Sequence, residues 1–264
     1  MNILLTNDDG ISSEGIIELA KTLTHNDHKV IVAAPSSEAS GSSAGVGPVY
    51  NFDKIRCKKV VLSSCPEIEA YEADALPALL VLIGCMGSFG INPDLVVAGI
   101  NRGVNAGRSV MHSGTVGAAI TASHFKIPSL AVSLEWSDKG QHWYSASQLA
   151  TKVVQKLPFL TKVDPPPILN LNVPNLPLKE IRGIRKARLC NSGLIKGANL
   201  KAESGDIILN LGGKRADILP DADVNLLRQG YATLTMLSPV KEDDRDELHT
   251  LVTNHLVNGS EQLI

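Results

Sequence analysis

The first part of the chain alternates short, wholly apolar runs with segments whose apolar residues recur at helical spacing. Residues 2–6 form an apolar run that stops abruptly at Asn7, as a strand buried on both faces does. Residues 13–23 place Ile16, Ile17, Leu19, Ala20 and Leu23 on one helical stripe. Residues 30–34 read as a second strand, closed by Pro35, and the Gly- and Ser-rich stretch 36–48 supports no regular element. Short strands are expected at 60–63 and around Tyr71. Residues 77–86 read as a buried helix, with Pro77 tolerated in its first turn. Strands at 94–100, 129–134 and 168–173 then alternate with helices from about Thr115 and over 145–156. Such alternation implies right-handed crossovers. The expected fold is α/β, a Rossmann-like, doubly wound, mainly parallel sheet whose ligands bind where strands end and loops begin.

After Pro174 the pattern changes. Short β-like pieces at 181–188, 206–211 and 231–237 are separated by glycines and charges, and a polar, helix-compatible tail covers 242–257. The expected division is a Rossmann-like catalytic core over 1–174 and a smaller β-rich C-terminal subdomain with a C-terminal helix over 175–264. The triple proline at 165–167 reads as a stiff connection.

Composition agrees with this picture. Of 264 residues 44% are hydrophobic but only 4% aromatic, so the core is built from Val, Ile, Leu and Ala, as suits a covered parallel sheet. The net charge of −2 carries no basic footprint, so no nucleic-acid polymer is expected as a partner. Cys57, Cys65, Cys85 and Cys190 lack C-x-x-C spacing and read as free thiols in a reducing compartment. The first residues lack a basic segment and a long apolar core, and no apolar run is long enough to span a bilayer. A cytoplasmic protein without membrane contact is the expectation.

The candidate chemistry lies at strand ends. Asn7-Asp8-Asp9-Gly10 follows the first strand directly. Two readings of this segment compete: the aspartates cap the next helix, or their mutual repulsion is relieved by a hard divalent cation with a taste for oxygen ligands. Either way, negative charge occupies the place where a dinucleotide fold needs G-x-G-x-x-G, which excludes a nicotinamide or flavin enzyme. The stretch 98–107 (AGINRGVNAG) offers Asn101, Asn105 and Arg102 among glycines, as a ligand loop or as ordinary turns. His112-Ser113-Gly114-Thr115 puts hydroxyls and free N–H groups at a helix start, suited to an anion or to plain capping. The loop around Ser40, Gly41, Ser42 and Ser43 is the last of these segments. All follow predicted strands and meet along one sheet edge, where carboxylates for a metal and donors for an oxyanion suit metal-assisted phosphoester hydrolysis.

These residues resemble the family of the stationary-phase survival protein SurE, comprising 5′(3′)-nucleotidases and acid phosphatases. ILLTNDDGI with Gly15-Ile16 is similar to the family's first motif, and VVAGINRGVNAG and HSGTVGAA are similar to its second and third. AAPSSEASG resembles the loop carrying its serine ligand, and weaker similarity runs through LAVSLEW, LNLNVPNLP and QGYATLTMLSP. The resemblance implies one divalent ion per subunit, Mg²⁺ or Mn²⁺, held by Asp8, Asp9, Ser40 and Asn101. It implies phosphate contacts from Asn105, Ser113, Gly114 and Thr115, with Gly41 beside the substrate. The implied substrate is a small phosphorylated metabolite, a nucleoside 5′- or 3′-monophosphate, and the implied assembly is a homodimer or homotetramer built through a C-terminal arm.

The chain departs from the pattern in places. Where the family has G-T-P-[AT]-D-C-V, this sequence reads Ala75-Leu76-Pro77-Ala78-Leu79-Leu80-Val81, and His112 replaces a tyrosine. His112 is a candidate general acid or a surface residue; Trp136, Trp143 and Tyr144 are candidates for stacking on a base or for packing. The rival readings are an N-deacetylase, which would want histidine beside the carboxylates, and a non-catalytic metal- or nucleotide-binding relative, or a hydrolase repurposed for a non-nucleotide substrate.

Overall fold

The computed structural model describes residues 1–49, 54–157, 163–191, 195–200, 207–211, 219–238 and 240. In chain order the elements are β1 (Asn2–Thr6), α1 (Glu14–His25), β2 (Lys29–Pro35), β3 (Cys57–Val60), β4 (Glu69–Ala73), α2 (Pro77–Cys85), β5 (Leu95–Arg102), α3 (Gly114–Ala122), β6 (Ser129–Leu134), α4 (Trp143–Val154), β7 (Ile168–Val173), β8 (Ile184–Lys186), β9 (Ile195–Leu200), β10 (Ile207–Leu211), α5 (Asp223–Arg228) and β11 (Ala232–Leu237). The main sheet has the order β3-β4-β2-β1-β5-β6-β7-β11-β8. From β4 through β7 every pairing is parallel, while β3 and β11 pair antiparallel with β4 and β7.

The apolar runs are explained by burial on both faces. Ile3 and Leu5 of β1 join the core formed with α1 and α4, whereas Leu4 faces the core formed with α2 and α3. Each face of the sheet is thus closed by a helix pair, and a run with no polar alternation is what such a strand requires.

Strand order reverses beside β1. The chain first moves outward from β1 to β2 and β4, then returns to add β5, β6 and β7 on the other side. The crevice beyond the carboxyl ends of β1 and β5 is the topological switch point, the usual ligand position in an open α/β sheet. Asp8 and Asp9 leave one of these strands; Asn101 closes the other.

Several boundaries differ from the sequence expectation. The short strand expected at 60–63 lies at Cys57–Val60. It is an edge strand whose Lys58 and Lys59 pair with Glu72 and Glu69, and lysines on an edge hide it from an apolar pattern. Beyond Pro174, β8 and β11 continue the main sheet, and β9 with β10 forms a separate antiparallel pair. The short helix α5 has no counterpart in the sequence reading. The helix expected over 242–257 lies outside the described residues.

Candidate metal and phosphate site

The turn after β1 is held by its own first residue. Asn7 is buried and donates its Nδ2 to the Gly10 carbonyl (3.0 Å) and to Ser13 Oγ (2.7 Å). Gly10 completes the turn at φ +95°, a conformation that favours glycine. Ser13, not an aspartate, occupies the N-cap position of α1. Neither Asp8 nor Asp9 therefore caps the helix that follows them.

Asp8 instead reaches across the crevice to the start of α3. Its carboxylate accepts the backbone N–H of Thr115 (3.1 Å), the N–H of Gly114 and the Thr115 hydroxyl. The close approach depends on Gly114, since a Cβ there would lie 2.9 Å from Asp8 Oδ2 and 2.5 Å from Ser42 Oγ. Burial pushes the Asp8 carboxyl above the usual range, and the Thr115 bonds oppose that rise. Asp9 is pushed up to about 6, first by burial and then by the neighbouring Asp8 charge, with the Arg102 backbone N–H (3.2 Å) pulling the other way. Among the described residues no lysine, arginine or histidine forms an ion pair with either carboxylate. Adjacent carboxylates in this state call for a proton or a cation.

Neutral oxygens complete the donor set. β5 changes register against β6 between Ala98 and Asn101, and this irregularity brings Asn101 to the crevice. Its Nδ2 donates to the Gly103 carbonyl (2.6 Å), which leaves Oδ1 on the side of Thr115 Oγ1, 3.4 Å away. The 36–48 loop is tied to the same place by the Ala39 N–H, which donates to the Asp8 carbonyl (2.7 Å). Ser40 is exposed on that loop and its hydroxyl donates to Glu38 (2.8 Å). No group of three His, Cys, Asp or Glu clusters among the described residues. Two carboxylates with amide and hydroxyl oxygens nonetheless fit a hard divalent cation, which takes oxygen ligands and tolerates neutral ones.

Ser113 is the N-cap of α3, and its Oγ accepts the Val116 N–H (3.1 Å), so its own hydrogen is available to donate. The Gly114 and Thr115 amides point at the Asp8 carboxylate. Asn105 sits in a buried amide network: its N–H donates to Asn172 Oδ1 (2.7 Å), its Nδ2 to Ser133 Oγ (2.9 Å), and its carbonyl accepts from Asn170 (2.8 Å) and Asn172 (3.1 Å). Gly41 is exposed at φ +80° with open space where a Cβ would stand. His112 is exposed, and its carbonyl accepts the Ser43 N–H (3.3 Å).

Sequence reasoning did not assign Ser42 a role of its own, and it passed over Asn170, Asn172 and Asp223. Ser42 Oγ is buried beside Gly114 with no hydrogen-bond partner among the described residues, an orphan at the edge of the site. Asn170 and Asn172 stand two apart in the otherwise apolar β7, and that spacing puts them on one face. This was a readable signal. Asp223 is fully buried yet sits in a charged stretch that reads as surface.

Two cavities flank the 36–48 loop. One, of about 680 Å³, opens beside Asp9 and Ser40 and is walled by Arg102, Trp136 and Trp143. The other, of about 730 Å³, lies toward α2 and is lined by Lys54, Arg56, Leu76 and Leu79. The departures at Leu76 and Leu79 therefore face the second cavity and do not border the first.

Residues 3–195 match the family described as Survival protein SurE. The chain is 36% identical over 244 residues to the 5′-nucleotidase SurE of Clostridium beijerinckii (strain ATCC 51743 / NCIMB 8052), covering 90% of this chain and 92% of that one. It is 35% identical over 242 residues to the 5′-nucleotidase SurE of Clostridium botulinum (strain Eklund 17B / Type B), covering 90% and 93%. Its fold matches the crystal structure of the SurE protein from Aquifex aeolicus with a TM-score of 0.77 at 25% identity, over 95% of this chain and 98% of that one. On its sequence and on its fold, the chain belongs to the SurE family.

Proposed function

We propose that this chain is a divalent-metal-dependent phosphomonoesterase that hydrolyses nucleoside 5′- or 3′-monophosphates to nucleoside and phosphate. The observation that carries the reading is the pair Asp8 and Asp9 at the switch point, buried or half-buried and without an ion-pair partner among the described residues. Asp8, Asp9, Asn101 and Ser40 would hold one Mg²⁺ or Mn²⁺. When bound, the ion supplies charge neutralisation and Lewis-acid polarisation of a phosphoryl oxygen.

The chain's own residues do the rest. Gly114 and Thr115 hold Asp8 in one orientation, and the Arg102 N–H steadies Asp9. The Ser113 hydroxyl donates to a phosphate oxygen, with the N-terminus of α3 adding its dipole. Asn105 is locked by Asn172 and Ser133, so it meets the phosphoryl group without losing side-chain freedom at that moment. Gly41 gives the loop its turn over the site, and His112, at the exposed rim, is the candidate to protonate the leaving oxygen. The names of the Clostridium relatives support a nucleotide substrate, and the separate β9–β10 pair supports an arm that joins subunits.

The reading is tested by phosphate release from a panel of nucleoside monophosphates, sugar phosphates and glycerol phosphate, with Mg²⁺, Mn²⁺ or EDTA. Nucleotides should rank first and EDTA should stop turnover. Equal release with EDTA would remove the metal from the account.

A further inference from the structure

The net charge of −2 is an average, and the cations of this chain are not evenly spread. Residues 182–188 carry Arg182, Arg185, Lys186 and Arg188 and no acidic residue, and all four cations are exposed on or beside the edge strand β8. Arg188 pairs with Asp221 (3.0 Å), whereas Arg182, Arg185 and Lys186 form no ion pair among the described residues. The Arg182 and Arg185 guanidiniums both lie over the half-buried Tyr231 ring, 4.5 and 4.9 Å from its centroid. Arg182 is fixed further by its Nη1, which donates to the Gln229 carbonyl (3.3 Å). The ring attracts each cation, but two guanidiniums held on one ring also repel each other, and a shared anion relieves that repulsion. Planar forks of N–H donors suit phosphate oxygens in particular.

β11 runs antiparallel to β7, and β8 runs parallel to β11. Tyr231 and Arg182, which precede these two strands, therefore lie at the same edge of the sheet as the carboxyl ends of β1 and β5. Five strand steps separate β8 from β1 in the sheet order, about 24 Å at about 4.8 Å each. A stacked single strand rises about 3.4 Å per nucleotide, so about seven nucleotides cover that span. We propose that Arg182, Arg185 and Tyr231 form a docking platform for single-stranded nucleic acid, and that a strand lying along this edge brings its terminal phosphate to Asp8 and Asp9. The added activity is removal of that terminal phosphate. Water attacks the phosphorus, the ester P–O bond breaks, and a water proton passes to the leaving oxygen, giving inorganic phosphate and a strand that ends in a hydroxyl. Delivery rests on the phosphomonoesterase reading, whereas binding at the platform needs neither the metal nor the reaction.

The test uses the full chain, thymidylate strands of two and eight nucleotides with a 5′-phosphate, thymidine 5′-monophosphate, and a 3′-fluorescein copy of the octamer for anisotropy. In EDTA the wild type should bind the octamer. The double variant Arg182→Ala/Arg185→Ala should weaken that binding about tenfold and flatten the dependence of log Kd on log salt by about 1.4, two phosphate contacts at about 0.7 each. With Mn²⁺, the double variant should lose about tenfold in kcat/KM for the octamer and nothing for the dinucleotide or the monophosphate, which are too short to reach the platform. Unchanged octamer binding in the double variant, or equal losses for octamer and monophosphate, would overturn the platform. A poly-glutamate of equal charge that displaces the labelled octamer as well as the unlabelled octamer does would overturn the assignment to nucleic acid. If binding depends on the two arginines and the monophosphate is hydrolysed but the octamer is not, delivery of the terminal phosphate is refuted. If no ester is hydrolysed at all, the phosphomonoesterase reading fails and the platform stands.

Discussion

The carboxylate of Asp223 accepts the backbone N–H of Gly107 at 2.7 Å, a bond that joins positions 116 residues apart in the sequence. Its other oxygen accepts the Val224 N–H (2.8 Å) and the Cys190 N–H (3.2 Å), and the residue is fully buried. The loop that follows β5, with Asn105 at its centre, is thereby anchored to α5 in the C-terminal part of the chain. A buried carboxylate is tolerated when it receives several N–H donors, and each donor depends on it in turn.

Removing this anchor should loosen the site from a distance. Asp223→Ala leaves buried N–H groups without acceptors, which costs on the order of 3 kcal/mol. Urea unfolding should show a lower midpoint and an unfolding free energy reduced by that amount, and phosphate release should fall even where the protein stays folded. Asp223→Asn keeps an acceptor and should lie between the two. A midpoint unchanged in Asp223→Ala would show that α5 does not hold the loop.

Gly114→Ala tests the packing of Asp8 against α3. The new Cβ would press on Asp8 Oδ2 and Ser42 Oγ, so the carboxylate must turn away from the Thr115 and Gly114 amides. Overpacking costs about 1–3 kcal/mol, while the misplacement of Asp8 should cut turnover about 100-fold. Activity near wild type in a folded Gly114→Ala protein would mean that the orientation of Asp8 is not needed.

The pH behaviour of the metal-free protein follows from Asp9. Its carboxyl is pushed up to about 6, so the folded state holds a proton that the unfolded chain releases near the ordinary carboxylate value. The contribution to stability is full at low pH and is lost as pH rises through about 6. A divalent ion should reverse the trend, because it binds the deprotonated pair and competes with protons. Thermal unfolding from pH 4.5 to 7.5, with EDTA and with Mn²⁺, should show the metal-free curve falling up to about pH 6 and levelling above it, while the Mn²⁺ curve rises over the same interval. Asp9→Asn should flatten the metal-free slope.

Much of the candidate site is legible in the sequence because its residues stand at the ends of wholly apolar strands. The apolar run of β1 ends directly in Asn7-Asp8-Asp9, and that of β5 runs into Asn101, so the pattern that marks each strand also marks the candidate residues at its end. What stayed hidden depends on contacts between distant segments. Ser42 looked like one serine among several in a loop, and only its seat against Gly114 singles it out. Asp223 stands in a polar stretch with nothing in the sequence to mark it, and only the fold buries it. The edge strand β3 was misplaced because Lys58 and Lys59 mask its pairing with β4, and Leu76 and Leu79 could be seen to differ without showing which cavity they face.

The central claim is that Asp8 and Asp9 form the metal centre of a phosphomonoesterase. The most direct measurement is phosphate release from adenosine 5′-monophosphate by EDTA-treated protein, before and after Mn²⁺ or Mg²⁺ is restored, in wild type and in Asp8→Asn. The account predicts no release without the ion, recovery on its return in wild type, and at least about a 100-fold deficit in a folded Asp8→Asn protein that added metal does not repair. Full turnover in EDTA, or an Asp8→Asn protein as active as wild type, would contradict it.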